Sequence, residues 1–131
     1  MKRYTNKVCL VTASTAGIGL AIAKRMAEEG AQVIICSRKQ ANVDTAVGII
    51  AKNGGKVEGV VADVGIVEHR QKLVKLIADK YGKLDVLVPN AAVSTHFGSQ
   101  FEITEKAYDK LWAVNVKSTF FLIKECLPHL R

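Results

Sequence analysis

Apolar and polar positions follow one another along this chain in two rhythms, short unbroken apolar runs and longer stretches repeating every three or four residues. Val8 to Val11 is apolar at each position, which suits a strand buried on both faces. A turn of small residues follows. Ile18, Ile22 and Met26 then recur at a spacing of four on an Ala-rich helix that ends at Glu28-Glu29-Gly30, with the glycine as its cap. Ala31 to Cys36 is a second buried strand. Gln40 to Lys52 carries Val43, Val47 and Ile50 at helical spacing and stops at Asn53-Gly54-Gly55. Lys56 to Val61 alternates at its start, which fits a strand nearer the sheet edge. Val67 to Tyr81 places Leu73, Leu76, Ile77 and Tyr81 on one helical face, and Gly82 closes it. Leu84 to Val88 is a fourth buried strand, ended by Pro89, which removes a backbone donor. Beyond a loop from Ala92 to Phe101 and a weak cap at Thr104 with Ala107, the chain is helical from Glu105 to its end, with a break before Asn115. That last stretch is apolar nearly all round and needs cover on more than one side.

Strands that each return through a helix predict right-handed crossovers and an α/β doubly wound parallel sheet of four strands, ordered 3-2-1-4, with helices on both faces. Ligands of such Rossmann sheets bind beyond the carboxyl ends of the strands, where the order reverses. That brings Ala13 to Gly19, Ser37-Arg38, Asp63 and Asn90 around one crevice. Gly17 and Gly19 lack the Cβ that would keep the main chain from a ligand, so N–H groups at the helix start can face a phosphate. The run Gly-x-x-x-x-Gly-Lys of a nucleoside triphosphate loop is absent, and the spacing matches a dinucleotide-binding turn with fewer glycines than usual. Glycines in a strand-to-helix turn also serve as packing devices, and that alternative stands at this point.

Composition narrows the field. At 131 residues, 49% hydrophobic and 24% charged, the chain suits one globular domain over residues 1–131. It has no run of about 18 to 20 apolar residues to span a membrane and no secretory leader at its start, so a cytoplasmic setting is expected. The net charge of +7 is scattered, its longest cluster being Ser37-Arg38-Lys39, which argues for a solvated surface rather than nucleic-acid binding. Cys9, Cys36 and Cys126 lie far apart and read as small buried hydrophobes. With His69, His96 and His129 equally dispersed, no metal site is expected.

The motifs resemble those of the short-chain dehydrogenase/reductase family. That family's Thr-Gly-x-x-x-Gly-x-Gly is matched by Thr12-Ala13-Ser14-Thr15-Ala16-Gly17-Ile18-Gly19, its Asp-Val by Asp63-Val64, its Asn-Asn-Ala-Gly by Pro89-Asn90-Ala91-Ala92, and its helix asparagine by Asn115. The resemblance implies cofactor contacts from Thr12, Ser14, Thr15, Gly17, Ile18 and Gly19 around the pyrophosphate. It further implies Asp63 and Val64 at the adenine, Asn90, Ala91 and Ala92 near the adenosine ribose, and Asn115 as the catalytic-set residue that holds a relay water. From the residues alone, Asp63 could equally cap the next helix, and Asn115 could mark a kink. Ala13, Pro89 and Ala92 depart from the family pattern. If position 13 needs positive φ, its methyl group costs roughly 1 to 2 kcal/mol.

Cofactor choice follows from charge. NAD sites carry Asp or Glu at the end of the second strand to meet the ribose hydroxyls, and this chain has Ser37, Arg38 and Lys39 there, with no acid before Asp44. A guanidinium pairs with the additional phosphate of NADP, so NADP(H) is expected, held by Arg38 and Ser37; the alternative is a solvated loop. The phrases Thr12 to Thr15 and Ser37 to Gln40 look most like the carbonyl and retinal reductase branch, which implies a small-molecule carbonyl substrate.

Its acid, a tyrosine with lysine four residues on, has no counterpart here. Tyr4, Tyr81 and Tyr108 are followed at that distance by Val8, Asp85 and Trp112. The chain therefore reads as the amino-terminal half of such an enzyme, inactive alone and prone to self-associate through Trp112, Phe120 or Phe121 of its last helix. A longer form of the branch could be peroxisomal.

Overall fold

In the computed structural model, residues 2–14, 16–91 and 98–130 are described. Strands β1 (Val8–Val11), β2 (Gln32–Ser37), β3 (Lys56–Val61) and β4 (Val86–Val88) alternate with helices α1 (Gly17–Glu28), α2 (Gln40–Lys52) and α3 (Val67–Tyr81). A 3-10 turn at Gln100–Glu102 precedes α4 (Glu105–Trp112). A π-helical segment, Ala113–Ser118, joins α4 to α5 (Thr119–Cys126), and a final 3-10 turn spans Leu127–His129. The strands pair in parallel in the order β3-β2-β1-β4, as the crossover rule predicts.

The unbroken apolar run in β1 is explained by the sheet's pleat. Successive side chains point to opposite faces, and each face meets its own core. Cys9 and Val11 join Val33 and Ile35 beneath α1 and α2, packed on Ala23, Met26, Ala46 and Ile50. Leu10, with Ile34 and Cys36, points the other way, onto Leu73 and Ile77 of α3 and Leu122 and Cys126 of α5. Burial pushes each of the three cysteine thiols up to about 11, so at neutral pH they are protonated, inert core groups.

Two expectations change at β4. The sequence predicts a buried strand over Leu84 to Val88, but the ladder covers only Val86–Val88, and these residues are half-buried. Asp85 interrupts the run: its carboxylate accepts the Val8 N–H at 2.8 Å and pairs with Lys83 at 2.9 Å. Leu84 is fully buried and bridges in parallel to Leu130, so it does not lie on an open edge. Val86 to Val88 form the sheet edge, opposite the β3 edge.

The last helix is continuous from Glu105 through Cys126, and the expected break is a π segment around Asn115 rather than an interruption. Thr104 caps it, its hydroxyl accepting the Ala107 N–H at 3.1 Å. Trp112, Val116, Phe120, Ile123 and Leu127 form an exposed apolar stripe along its length, while Phe121 is half-buried over Arg70.

Asp85 closes the lower end of the β1–β4 pair. Burial opposes its ionisation, but the Val8 amide and Lys83 outweigh burial and hold the carboxyl below the usual carboxylate range. Its contribution is thus present above the unfolded-state value of about 4 and is lost as pH falls through the lower folded-state value. Asp85→Ala is expected to cost about 1–3 kcal/mol at neutral pH in chemical denaturation, with the difference from the native chain shrinking under strong acid.

Candidate nucleotide-binding site

Above the carboxyl ends of the strands lies a crevice of about 190 Å³. Its floor and walls are Ala13 and Ala16 after β1, Cys36, Ser37 and Arg38 after β2, Ala62, Asp63 and Val64 after β3, and Ala91 after β4. Four strand ends converge there as predicted. Lys110 of α4 and Val114 of the π segment close the remaining side.

The crevice stays open because two buried hydroxyls take up the backbone groups beneath it. The Thr12 Oγ1 accepts the N–H groups of Asn90 and Ala91 at 2.9 and 3.1 Å. Ser14 Oγ donates to the Val11 carbonyl at 2.7 Å and accepts the Cys36 N–H at 3.3 Å. Both residues are fully buried, so their side chains brace the loop from below instead of lining the crevice. The Asn90 side chain is likewise turned to the loop, donating to the Ala13 carbonyl at 3.2 Å. Thr15 and Ala92 lie outside the described residues.

The two glycines of the turn have different roles. Gly17 has φ +57°, and a Cβ there would meet nothing within 4 Å, so its freedom is conformational and its face is open. A Cβ at Gly19 would lie 2.5 Å from the Asn90 Nδ2 and 2.7 Å from the Ala13 carbonyl oxygen. Gly19 is therefore a packing glycine that lets α1 approach β1 and β4, the alternative that the sequence left standing. Ile18 is exposed at the start of α1. Among the described residues no side chain caps α1 and no acid stands in its first turn, which suits an anion at its leading amides. Ala13 does adopt positive φ, at 49°, the conformation its family position favours for glycine.

After β3, Asp63 Oδ1 accepts the Gly65 N–H at 2.9 Å, while the N-cap of α3 is Ile66, so Asp63 shapes the turn before the helix and does not cap it. Arg70 holds the next peptide, donating to the Val64 carbonyl at 2.8 Å, and is itself paired with Glu125 of α5 at 3.2 Å. Arg38 is exposed and makes no ion pair among the described residues. Asn115 sits on the exposed side of the π segment and does not line the crevice. Lys110 and Val114 were not legible in the sequence. Their spacing of four marks one helical face, but a helix apolar nearly all round gives no sign of which face meets the sheet.

Residues 7–131 match the family described as short chain dehydrogenase. The chain belongs to that family. It is 47% identical over 126 residues to the mouse "Dehydrogenase/reductase SDR family member 4", covering 96% of this chain and 45% of that one. Tropinone reductase-like 3 from Erythroxylum coca is 46% identical over 130 residues, covering 99% of this chain and 50% of that one. A metagenomic short-chain oxidoreductase solved in complex with NADP superposes with a TM-score of 0.89 at 28% identity, over 95% of this chain and 57% of its own. The NAD+-bound xylitol dehydrogenase superposes at 0.92 with 27% identity, over 98% of this chain and 49% of its own. This short-chain dehydrogenase chain thus spans about half the length of the relatives it matches. Among the described residues, no helix is long and apolar enough to cross a membrane.

The loop geometry yields opposite expectations for two small-residue changes, both read by chemical denaturation. Ala13→Gly relieves the left-handed strain but loosens the unfolded chain, for a net gain of about 1 kcal/mol or less. Gly19→Ala forces a methyl group into the Ala13 carbonyl and is expected to cost about 1–3 kcal/mol.

Proposed function

We propose that this chain is the NADP(H)-binding part of a reductase that converts a small carbonyl compound to an alcohol. The observation that carries the cofactor choice is the end of β2, where Ser37 and Arg38, which makes no ion pair among the described residues, line the crevice in the place of the carboxylate an NAD site requires. The guanidinium offers a planar fork to the 2′-phosphate, and the Ser37 hydroxyl a further donor. Lys110 adds a second cation to the crevice lining and strengthens its pull on a polyanionic ligand.

The residues present fit the dinucleotide. The start of α1 at Gly17, which has no side-chain cap among the described residues, would receive the pyrophosphate, and Asp63, Val64, Ala91 and Val114 would line the adenosine. When bound, the cofactor supplies hydride to the carbonyl carbon. The chain's own residues bind and orient it. Protonating the developing alkoxide needs an acid, and none of the tyrosines has lysine four residues on. A carbonyl substrate is supported by the likeness to the "Dehydrogenase/reductase SDR family member 4" proteins and to tropinone reductase-like 3.

That missing pair also favours a second reading, in which the chain is a non-catalytic nucleotide-binding or regulatory fragment. The stripe from Trp112 to Leu127 suits pairing with a second copy, or with a longer subunit, in either case.

Arg38→Ala is expected to weaken NADPH by about 1.5–3 kcal/mol in a titration while leaving NADH nearly unchanged; equal losses reject the 2′-phosphate assignment. The purified chain is expected to bind NADPH as an associated species in light scattering and to show no carbonyl reduction. Turnover by a monodisperse monomer would overturn both expectations.

A further inference from the structure

The wall of the crevice formed by Asp63 and Val64 is held by two consecutive side chains of α3. Arg70 fixes the Val64 carbonyl, as described. One residue earlier, the His69 ring reaches back out of the first turn of α3, where its Nδ1 accepts the Asp63 backbone N–H at 2.8 Å. Two further amides are tied locally, the Gly65 N–H on the Asp63 side chain and the Ile66 N–H on the Asp63 carbonyl at 3.0 Å. The Asp63 amide alone depends on a side chain from the helix. Only an imidazole nitrogen that carries no proton can accept that bond.

We propose that His69 is a positioning residue for the adenine end of the crevice, its unprotonated Nδ1 holding the Asp63 amide so that cofactor affinity falls when the ring takes a proton. The proposal rests on reading the crevice as the adenosine site. On protonation, Nδ1 becomes a donor facing a donor, and the new positive charge sits in the first turn of a helix, whose amino end is already positive. Charged groups face the ring's surroundings from each neighbouring element. Asp63 Oδ1 is turned to the Gly65 amide, Arg70 pairs with Glu125 from α5, Glu68 precedes His69 on the same helix, and Arg38 lies on another wall of the crevice. The hold on Asp63 requires an Nδ1 without a proton.

The test is calorimetric titration of NADP+ into the native chain, His69→Gln and His69→Ala at about pH 8 and pH 5.5. A glutamine carbonyl accepts the amide at any pH. The 2′-phosphate itself titrates in this range, so each variant is read against the native chain at the same pH. His69→Gln is expected to match the native affinity at the higher pH and to exceed it by about threefold to tenfold at the lower, with His69→Ala weaker than both at the higher pH. Amide exchange in the cofactor-free chain supplies a second readout, with Asp63 protected in the native chain and His69→Gln but fast in His69→Ala. Equal acid losses in the native chain and His69→Gln, or native protection of Asp63 in His69→Ala, overturn the role of His69. Failure of all three proteins to bind NADP+ at the higher pH instead overturns the adenosine reading of the crevice, and with it this proposal.

Discussion

Parallel strands that end together leave their last amides and carbonyls facing the space where a ligand must lie, and a buried backbone group without a partner is costly. In this chain Thr12 and Ser14 meet that constraint. Thr12 receives two amides from the end of β4, and Ser14 joins the end of β1 to that of β2. At about 0.5–1.5 kcal/mol for each hydrogen bond, the pair contributes a few kcal/mol, but its placement matters more than its sum. Satisfying these groups from below leaves the upper side of the loop free.

The division of labour in the crevice follows from this. With the floor satisfied by hydroxyls and closed by Gly19, the turn at Gly17 is open to solvent, and Arg38 has no ion-pair partner among the described residues to draw it away from solvent. The opposite wall is built differently. Ala62 and Val64 are buried in the core shared with α3, and α3 also holds the backbone of this connection through His69 and Arg70. Arg70 also reaches Glu125, and its guanidinium lies over the Phe121 ring, so the Asp63–Val64 wall of the crevice and the helix bearing the exposed apolar stripe share one anchoring side chain.

Most of the architecture was legible before any coordinates. The bounds of α2, β3 and α3 agree with the periodicity to the residue, and Gly82 closes α3 with φ +73°, because a short run of apolar residues and a left-handed glycine are local properties of the backbone. The sequence overstated β4, because Leu84 to Val88 has an apolar rhythm but Asp85 is drawn to the Val8 amide, 77 residues away. Gly19 looked like Gly17 in the sequence, and only the position of Asn90 separates a packing glycine from one that exposes the main chain.

The order of strands and helices, the convergence of four strand ends and the positive charge after β2 were determined by the sequence alone, through periodicity and the handedness of the crossovers. The tertiary structure decided which hydroxyls are consumed inside the loop, which glycine faces outward, and that Lys110 and Val114 complete the crevice. Those outcomes depend on register between segments up to 79 residues apart, as between Thr12 and Ala91, and on the face a uniformly apolar helix turns inward. No local pattern encodes such distances, because packing in three dimensions sets them.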